Sequence, residues 1–348
     1  MSEQALRVGI IGCGKIARTH AEAVGNTPGA SLVAFCDADL GRAEAFANEF
    51  GAEIATDSLD TFFSKGTLDA AMICTPHPVH EQLVVACAEA GVHVLCEKPI
   101  AVRLEEADRM IEATDAAGVA FGVIFQRRFW PAAQRIRRAI DDGLLGTLTF
   151  GSSYSHLWRP RSYFESDPWR GKWETEGGGV MMNQAVHMVD MLQWFMGPAA
   201  EVYGKIATLR HGAYIDVEDT VAATVTFQSG ALGAIEAFTT VEPEFGFRIM
   251  LRGDNGATVS LLEAPEGTQG VNDIWTFEPA ATERASWADA EQGRPGFPEF
   301  HQLQIAEFLD AIRHGRPPAV TGRDARNSLA IILGIYESSR TGKPVALR

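Results

Sequence analysis

Residues 6–17 read LRVGIIGCGKIA. Leu6 to Ile11, apolar but for Arg7, form a run without polar alternation, the pattern of a strand buried on both faces. Gly12, Gly14 and Ala17 follow at G-x-G-x-x-A spacing, and a helical pattern begins at once. In that placement Gly12 permits a tight turn, Gly14 lets the backbone approach a pyrophosphate, and Ala17 lets the helix pack close to the sheet. The phosphates would meet the free N–H groups and the positive dipole end of the helix. Asp37 closes a second apolar run 20 residues past Ala17, where a carboxylate accepts ribose hydroxyls and repels a 2′-phosphate. The stretch therefore predicts NAD as cofactor, with NADP disfavoured. Arg42 either weakens that preference by pairing a phosphate or is a helix-surface cation.

Outward from this stretch the rhythm continues. LRVGIIG (6–12), SLVAFCD (31–37), LDAAMICT (68–75), HVLCEK (93–98) and AFGVIF (120–125) read as strands, and the segments between the first four, and between 98 and 120, carry helical spacing that ends near glycine. Alternating strand and helix imply right-handed crossovers and a doubly wound parallel sheet. After residue 124 the pattern changes. A helical piece at 131–142 leads to TLTFGSSYSH, and then to runs of period two between 201 and 253, with helical signals at 300–314 and 324–340. Period two predicts a largely antiparallel sheet with one face covered. The expected fold is thus α/β, with a Rossmann domain over 1–123 and a second α/β domain over 124–348.

A formal net charge of -15 argues against nucleic acid as a partner, because that binding needs a clustered basic surface. No apolar run reaches membrane-span length, and MSEQALR has no signal-peptide pattern, so a cytoplasmic protein without membrane contact is expected. Cys13, Cys36, Cys74, Cys87 and Cys96 all fall in the first hundred residues, with no C-x-x-C pair, and read as reduced core thiols.

The stretch GGGVMMNQAVHMVD (177–190) sets Asn183, His187 and Asp190 four and three residues apart in an otherwise apolar helix. On one continuous helix they form a single stripe. The i, i+3 pair of His187 and Asp190 would suit two metal ligands, but no second pair accompanies it, and no metal is expected.

With Gly12 to Ala17, Asp37, Thr75-Pro76-x-x-x-His80, Glu97-Lys98-Pro99, QRRF (126–129), GLLG (143–146), the triple glycine with its helix, and the closing DARNSLAIILGIYESSRTGKPV in order, the chain resembles the glucose-fructose oxidoreductase, inositol dehydrogenase and rhizopine catabolism (Gfo/Idh/MocA) family along its whole length. The wording M-N-Q-x-x-H (182–187) is reminiscent of a sugar 3-dehydrogenase branch, some of whose members act on nucleotide-linked N-acetylamino sugars and their uronic acids. The resemblance implies a large open sheet in the second domain and a homodimer or homotetramer. It places Gly12, Gly14, Lys15, Ile16, Ala17, Asp37, Arg42, Thr75, Pro76, His80, Glu97, Lys98 and Gln126 toward the cofactor. It also implies that Lys98 lies near the nicotinamide and the reacting carbon and that His187 is an acid or base. The family commonly has aspartate four residues before that histidine, where this chain has Asn183, an amide that can hold a hydroxyl but cannot take a proton.

Oxidation of a secondary alcohol needs a hydride acceptor and a base for the hydroxyl proton. His187 titrates near working pH, and Lys98 can polarise the reacting oxygen, with the roles exchangeable. Competing readings are a core histidine satisfied by Asp190 and a surface lysine paired with Glu97. The segment 154–176 holds three tryptophans and several arginines. Arg159, Trp169 and Arg170, with Arg127 beside Gln126, are candidates to grip an anionic sugar. The alternative is that the arginines pair with Glu165 and Asp167 while the tryptophans pack. The sequence therefore predicts an NAD-dependent oxidoreductase of a sugar ring hydroxyl. Left open are a keto-sugar reductase, an enzyme that oxidises transiently to cleave a glycoside, and a silent NAD- and sugar-binding sensor.

Overall fold

The computed structural model describes residues 5–277 and 296–347, together with Trp287, Glu291, Gly293 and Arg294. The chain forms two compact units, one from Met1–Gln126 with Pro298–Arg326, the other from Arg127–Phe297 with Asn327–Arg348.

In the first unit, strands β1 (Leu6–Ile11), β2 (Ala30–Cys36), β3 (Ile54–Thr56), β4 (Ala70–Ile73), β5 (His93–Cys96) and β6 (Phe121–Val123) alternate with helices α1 (Lys15–Gly25), α2 (Leu40–Phe50), α3 (Leu59–Gly66), α4 (His80–Glu89) and α5 (Leu104–Ala117). The sheet order is β3-β2-β1-β4-β5-β6, with every pairing parallel. Strand order reverses between β1 and β4, so the loops after those two strands flank the crevice where open α/β sheets bind ligands. The central strands are apolar on both faces because helices cover both, and Val8, Ile10 and Ala70 to Ile73 are buried. All five cysteines are buried free thiols.

β3 and α3 were not foreseen in the sequence. A three-residue edge strand is too short to show a period. A larger difference concerns the second domain, expected to run unbroken over 124–348. The first unit extends to Gln126 and also takes in Pro298–Arg326. The helix Glu299–Arg313 packs on α1 and buries Ile305, Phe308 and Leu309 among Val8, Ala17, Phe35 and Leu95. Its Gln304 accepts from the Phe125 N–H (3.0 Å) and donates to the Val123 carbonyl (2.8 Å). An amphipathic pattern shows that a helix has a buried face; it does not show which core receives it.

The second unit has seven strands, β7 (Leu148–His156), β8 (Ala199–Ala207), β9 (Thr220–Phe227), β10 (Leu232–Phe238), β11 (Gly246–Gly253), β12 (Thr258–Glu263) and β13 (Val345–Ala346), in the order β12-β11-β7-β10-β9-β8-β13. Only β7 and β10 pair in parallel. Along β9 every second residue is buried, as period two requires. After the helices α6 (Pro131–Asp141), α7 (Arg161–Phe164), α8 (Trp173–Glu176) and α9 (Val180–Asn183), helix α10 (Val186–Met196) lies on β7 and β11. Among the described residues no helix is long and apolar enough to cross a membrane.

Truncating Phe308 to alanine should cost the first unit about 3–5 kcal/mol, as for other fully buried aromatic side chains. Chemical denaturation reads the change; a loss under about 1 kcal/mol would mean the helix is not part of that core.

Candidate active site

The first unit gathers its candidate residues after β1, β2, β4, β5 and β6. Gly12 has φ +93°, and a Cβ there would sit 2.8 Å from the Cys74 backbone, so only glycine fits the turn. A Cβ on Gly14 would meet nothing within 4 Å, leaving the backbone open to a close ligand. Lys15 and Ile16 start α1, and Ala17 is fully buried. The Asp37 carboxylate accepts from the Cys13 N–H (2.7 Å) and the Asp39 N–H (2.9 Å), fixing the glycine turn against the end of β2. Arg42 stands 3.4 Å from Asp39, both well exposed. An open backbone at the helix start with a carboxylate beside it fits NAD.

The Glu97-Lys98-Pro99 turn is held from below. Glu97 is buried and bonds His20 Nε2 at 2.8 Å with one oxygen, while the other accepts the Lys98 N–H at 3.2 Å. His301 lies edge-on to His20, with ring centroids 6.2 Å apart. Burial alone would raise the Glu97 carboxyl, but the His20 hydrogen bond and the charges of His20, His301 and Lys98 outweigh it and hold it down at about 2. His80 is fully buried. Its ring nitrogens face the Thr75 carbonyl (3.0 Å) on one side and those of Pro99 (3.0 Å) and Ile100 (3.3 Å) on the other. His80 thus ties the Thr75-Pro76 loop to the lysine turn from inside the unit, and burial pushes its pKa down despite the three carbonyls. The Lys98–Pro99 bond is cis. Gln126 opens a short 3-10 turn, Gln126–Phe129.

In the second unit the triple glycine runs against Glu218. A Cβ on Gly179 would collide with the Glu218 carbonyl oxygen, and the buried Glu218 carboxylate accepts from the Gly179 N–H (2.7 Å), the Met181 N–H (3.0 Å) and the Tyr336 hydroxyl (2.8 Å). Glu218 therefore caps the helix start. Burial pushes its carboxyl up to about 7 against those three donors.

Asn183, His187 and Asp190, expected on one continuous helix, are divided between two. The helix is broken: α9 ends at Asn183, α10 begins at Val186, and the N–H groups of Gln184 and Ala185 both reach the Val180 carbonyl. The break changes the angular phase that the spacing argument assumed constant. Asn183 Nδ2 donates to Glu176 (2.5 Å) and lies 3.3 Å from the Tyr163 hydroxyl. Asp190 is fully buried and takes both arms of Arg128 (2.7 and 2.6 Å) and the Ser328 hydroxyl (3.1 Å), so it anchors the helix. His187 lies in the first turn of α10 and is 6% exposed.

The arginines singled out in the sequence each have a carboxylate partner. Arg159 Nη2 holds both oxygens of Glu266 (2.7 and 2.6 Å), and Arg127 pairs with the buried Glu263 (2.8 Å) with its guanidinium 4.4 Å from the centre of the Phe247 ring. Arg170 bonds Asp167 (3.2 Å) and the Tyr163 hydroxyl (2.5 Å) and lies 4.4 Å from the Trp169 ring centre. Sequence reasoning missed Tyr163, Glu176 and Glu218. Glu218 works through partners 37 to 118 residues away, and Tyr163 and Glu176 through partners that no periodic pattern marks.

Residues 6–125 match the oxidoreductase family with an NAD-binding Rossmann fold, and residues 133–259 match the GFO/IDH/MocA C-terminal domain. The chain is 30% identical to the 1,5-anhydro-D-fructose reductase of Ensifer adhaerens, over 97% of each chain. It is 29% identical to the myo-inositol 2-dehydrogenase of Thermotoga maritima, over 94% of each. The WlbA dehydrogenase from Bordetella pertussis, in complex with NADH and UDP-GlcNAcA, is similar at a TM-score of 0.91 and 32% identity, covering 100% of this chain and 99% of that one. The chain belongs to the Gfo/Idh/MocA family of oxidoreductases, and its first unit is that family's NAD-binding Rossmann domain.

Two outcomes follow from the buried charges. Removing Arg128 with alanine strands the Asp190 carboxylate and should cost about 3–5 kcal/mol in urea denaturation. The exposed i, i+4 pair of Arg161 and Glu165 should contribute no more than about 0.5 kcal/mol when Arg161 is replaced by alanine. Equal costs would contradict the anchoring role of Asp190. Because Glu97 is held below its ordinary value, its stabilisation is present above about pH 5 and lost as the pH falls toward about 2. Glu97→Gln should therefore lose less stability than the parent between those limits, as read from denaturation midpoints across a pH series.

Proposed function

We propose that the protein is an NAD-dependent dehydrogenase that oxidises a ring hydroxyl of a sugar derivative, with nucleotide-linked N-acetylamino uronic acids as the first substrate class to test. The reading rests on family membership along the whole chain, and the substrate class on the likeness to the WlbA dehydrogenase with its bound UDP-GlcNAcA. The observation that carries the chemistry is the Lys98 turn at the end of β5, braced by Glu97 and tied by His80 to the Thr75 loop that the Gly12 turn abuts.

NAD, when bound, supplies the acceptor for the hydride leaving the alcohol carbon. Lys98 then has the role of donating a hydrogen bond to the reacting oxygen, stabilising the charge that grows there as the C–H bond breaks. A ring nitrogen of His187 takes the hydroxyl proton and returns it in the reverse direction. Asp37 favours NAD over NADP because a 2′-phosphate would meet its carboxylate. Arg42, the cation that could offset this, already faces Asp39.

The deciding experiment mixes the purified protein with NAD or NADP and a panel of nucleotide-linked amino uronic acids, free sugars and inositols, and follows reduced-nicotinamide absorbance. A rise with NAD and one sugar class is expected. No rise with any of them, in protein that binds NAD, would overturn the reading. Lys98→Ala and His187→Ala should each lower kcat by at least about 100-fold, with NAD affinity by fluorescence titration nearly unchanged. Near-normal turnover in both variants would remove these residues from the chemistry.

A further inference from the structure

Glu176 has a place in the second unit that the proposed chemistry does not use. It is 2% exposed, and its two oxygens have separate tasks. Oε2 accepts the Gly171 N–H at 2.6 Å, and Oε1 accepts from Asn183 Nδ2 at 2.5 Å. The same amide nitrogen lies 3.3 Å from the Tyr163 hydroxyl, which also receives Gln184 Nε2 (2.8 Å) and Arg170 Nη1 (2.5 Å). Segment 161–176 is thus fastened to the junction of α9 and α10 at two points, Glu176 and Tyr163, and Asn183 touches both.

An asparagine amide has two ends of nearly equal shape and opposite hydrogen-bonding sense, so its direction must be imposed from outside. A carboxylate can only accept. It therefore draws the NH2 end toward itself, and the planar amide turns Oδ1 to the other side. We propose that Glu176 is a positioning residue of the substrate site, which fixes Asn183 with its carbonyl oxygen directed to accept a substrate hydroxyl beside the one His187 serves. This rests on the dehydrogenase reading above for the identity of the ligand. The geometry also makes a charge rule: Asn183, a neutral amide, stands directly against the buried Glu176 carboxylate. A second at 183 would stand at hydrogen-bond distance from the first, and the pair would have to share a proton.

The test is a double-variant cycle of Asn183→Asp, Glu176→Gln and the two combined, with melting temperature read across pH without substrate and KM and kcat read with it. In Asn183→Asp the shared proton raises one carboxyl above its unfolded value, so the variant should lose stability relative to the parent as pH rises from about 5 to about 8. The same variant should raise KM by about tenfold or more while kcat changes by less than about threefold. Combining it with Glu176→Gln restores a single charge and an opposed donor and acceptor, and should recover both melting temperature and KM. A parental melting temperature in Asn183→Asp at every pH would overturn the charge rule. Recovery of melting temperature without KM in the combined variant would reduce Glu176 to a structural tie and overturn the positioning role. If the parent turns over no sugar at all, the dehydrogenase reading falls by itself, and the positioning role falls with it, whereas the melting cycle still decides the charge rule.

Discussion

A backbone N–H that leaves a strand or opens a helix inside a protein must find an acceptor, since a buried orphan forfeits the hydrogen bond it had with water. In both units of this chain several N–H groups at the candidate-site loops find a carboxylate as that acceptor. Asp37 takes the N–H of Cys13 inside the glycine turn, Glu97 that of Lys98, Glu176 that of Gly171, and Glu218 those of Gly179 and Met181. Beside Glu218, Asp219 gathers three more, from Leu209, Arg210 and His211. Loops held this way keep irregular paths without paired strands, which is what a candidate site needs from its supports.

The device has a cost that differs from place to place. A carboxylate in a dry environment resists ionisation unless something favourable faces it. Glu97 has His20, with His301 and Lys98 near, and its carboxyl is driven down. Burial prevails at Glu218, whose donors are neutral, the peptide N–H groups of Met181, Gly179 and Glu218 itself and the Tyr336 phenol, and drives it up to about 7. Two acids with the same task of bracing a loop thus move in opposite directions, and the presence of a cation decides which.

What the sequence made legible follows from the range over which each signal acts. The turn of Gly12 and Gly14, the carboxylate of Asp37 and the parallel strands are local patterns whose geometry is set within a few residues, and they appear where expected. The period-two runs gave β8 to β11 in the same way. The relation of Asn183 to His187 and Asp190 could not be read from spacing alone, because spacing arguments assume an unbroken helix and the break between Asn183 and Val186 shifts the phase. The home of the helix Glu299–Arg313 was hidden for a different reason: Phe308 meets Val8 only across the whole length of the chain. Glu176 and Glu218 were invisible as supports, since an acid in a loop looks the same whether it faces water or a buried N–H.

The arginines of segment 154–176 show how such pairing qualifies a motif. An arginine beside a tryptophan reads in sequence as a grip for an anion, but Arg159 already holds both oxygens of Glu266, and Arg170 is shared between Asp167 and Tyr163. Any anion arriving at these guanidiniums must displace or share with an existing partner, so the net gain is a difference between two similar charge pairs and small compared with binding to an uncommitted cation. The carboxylates that orient the arginines also limit how strongly they attract. A ligand at this segment would therefore be discriminated by how well it matches the directions in which the guanidiniums are held, more than by the total positive charge it meets.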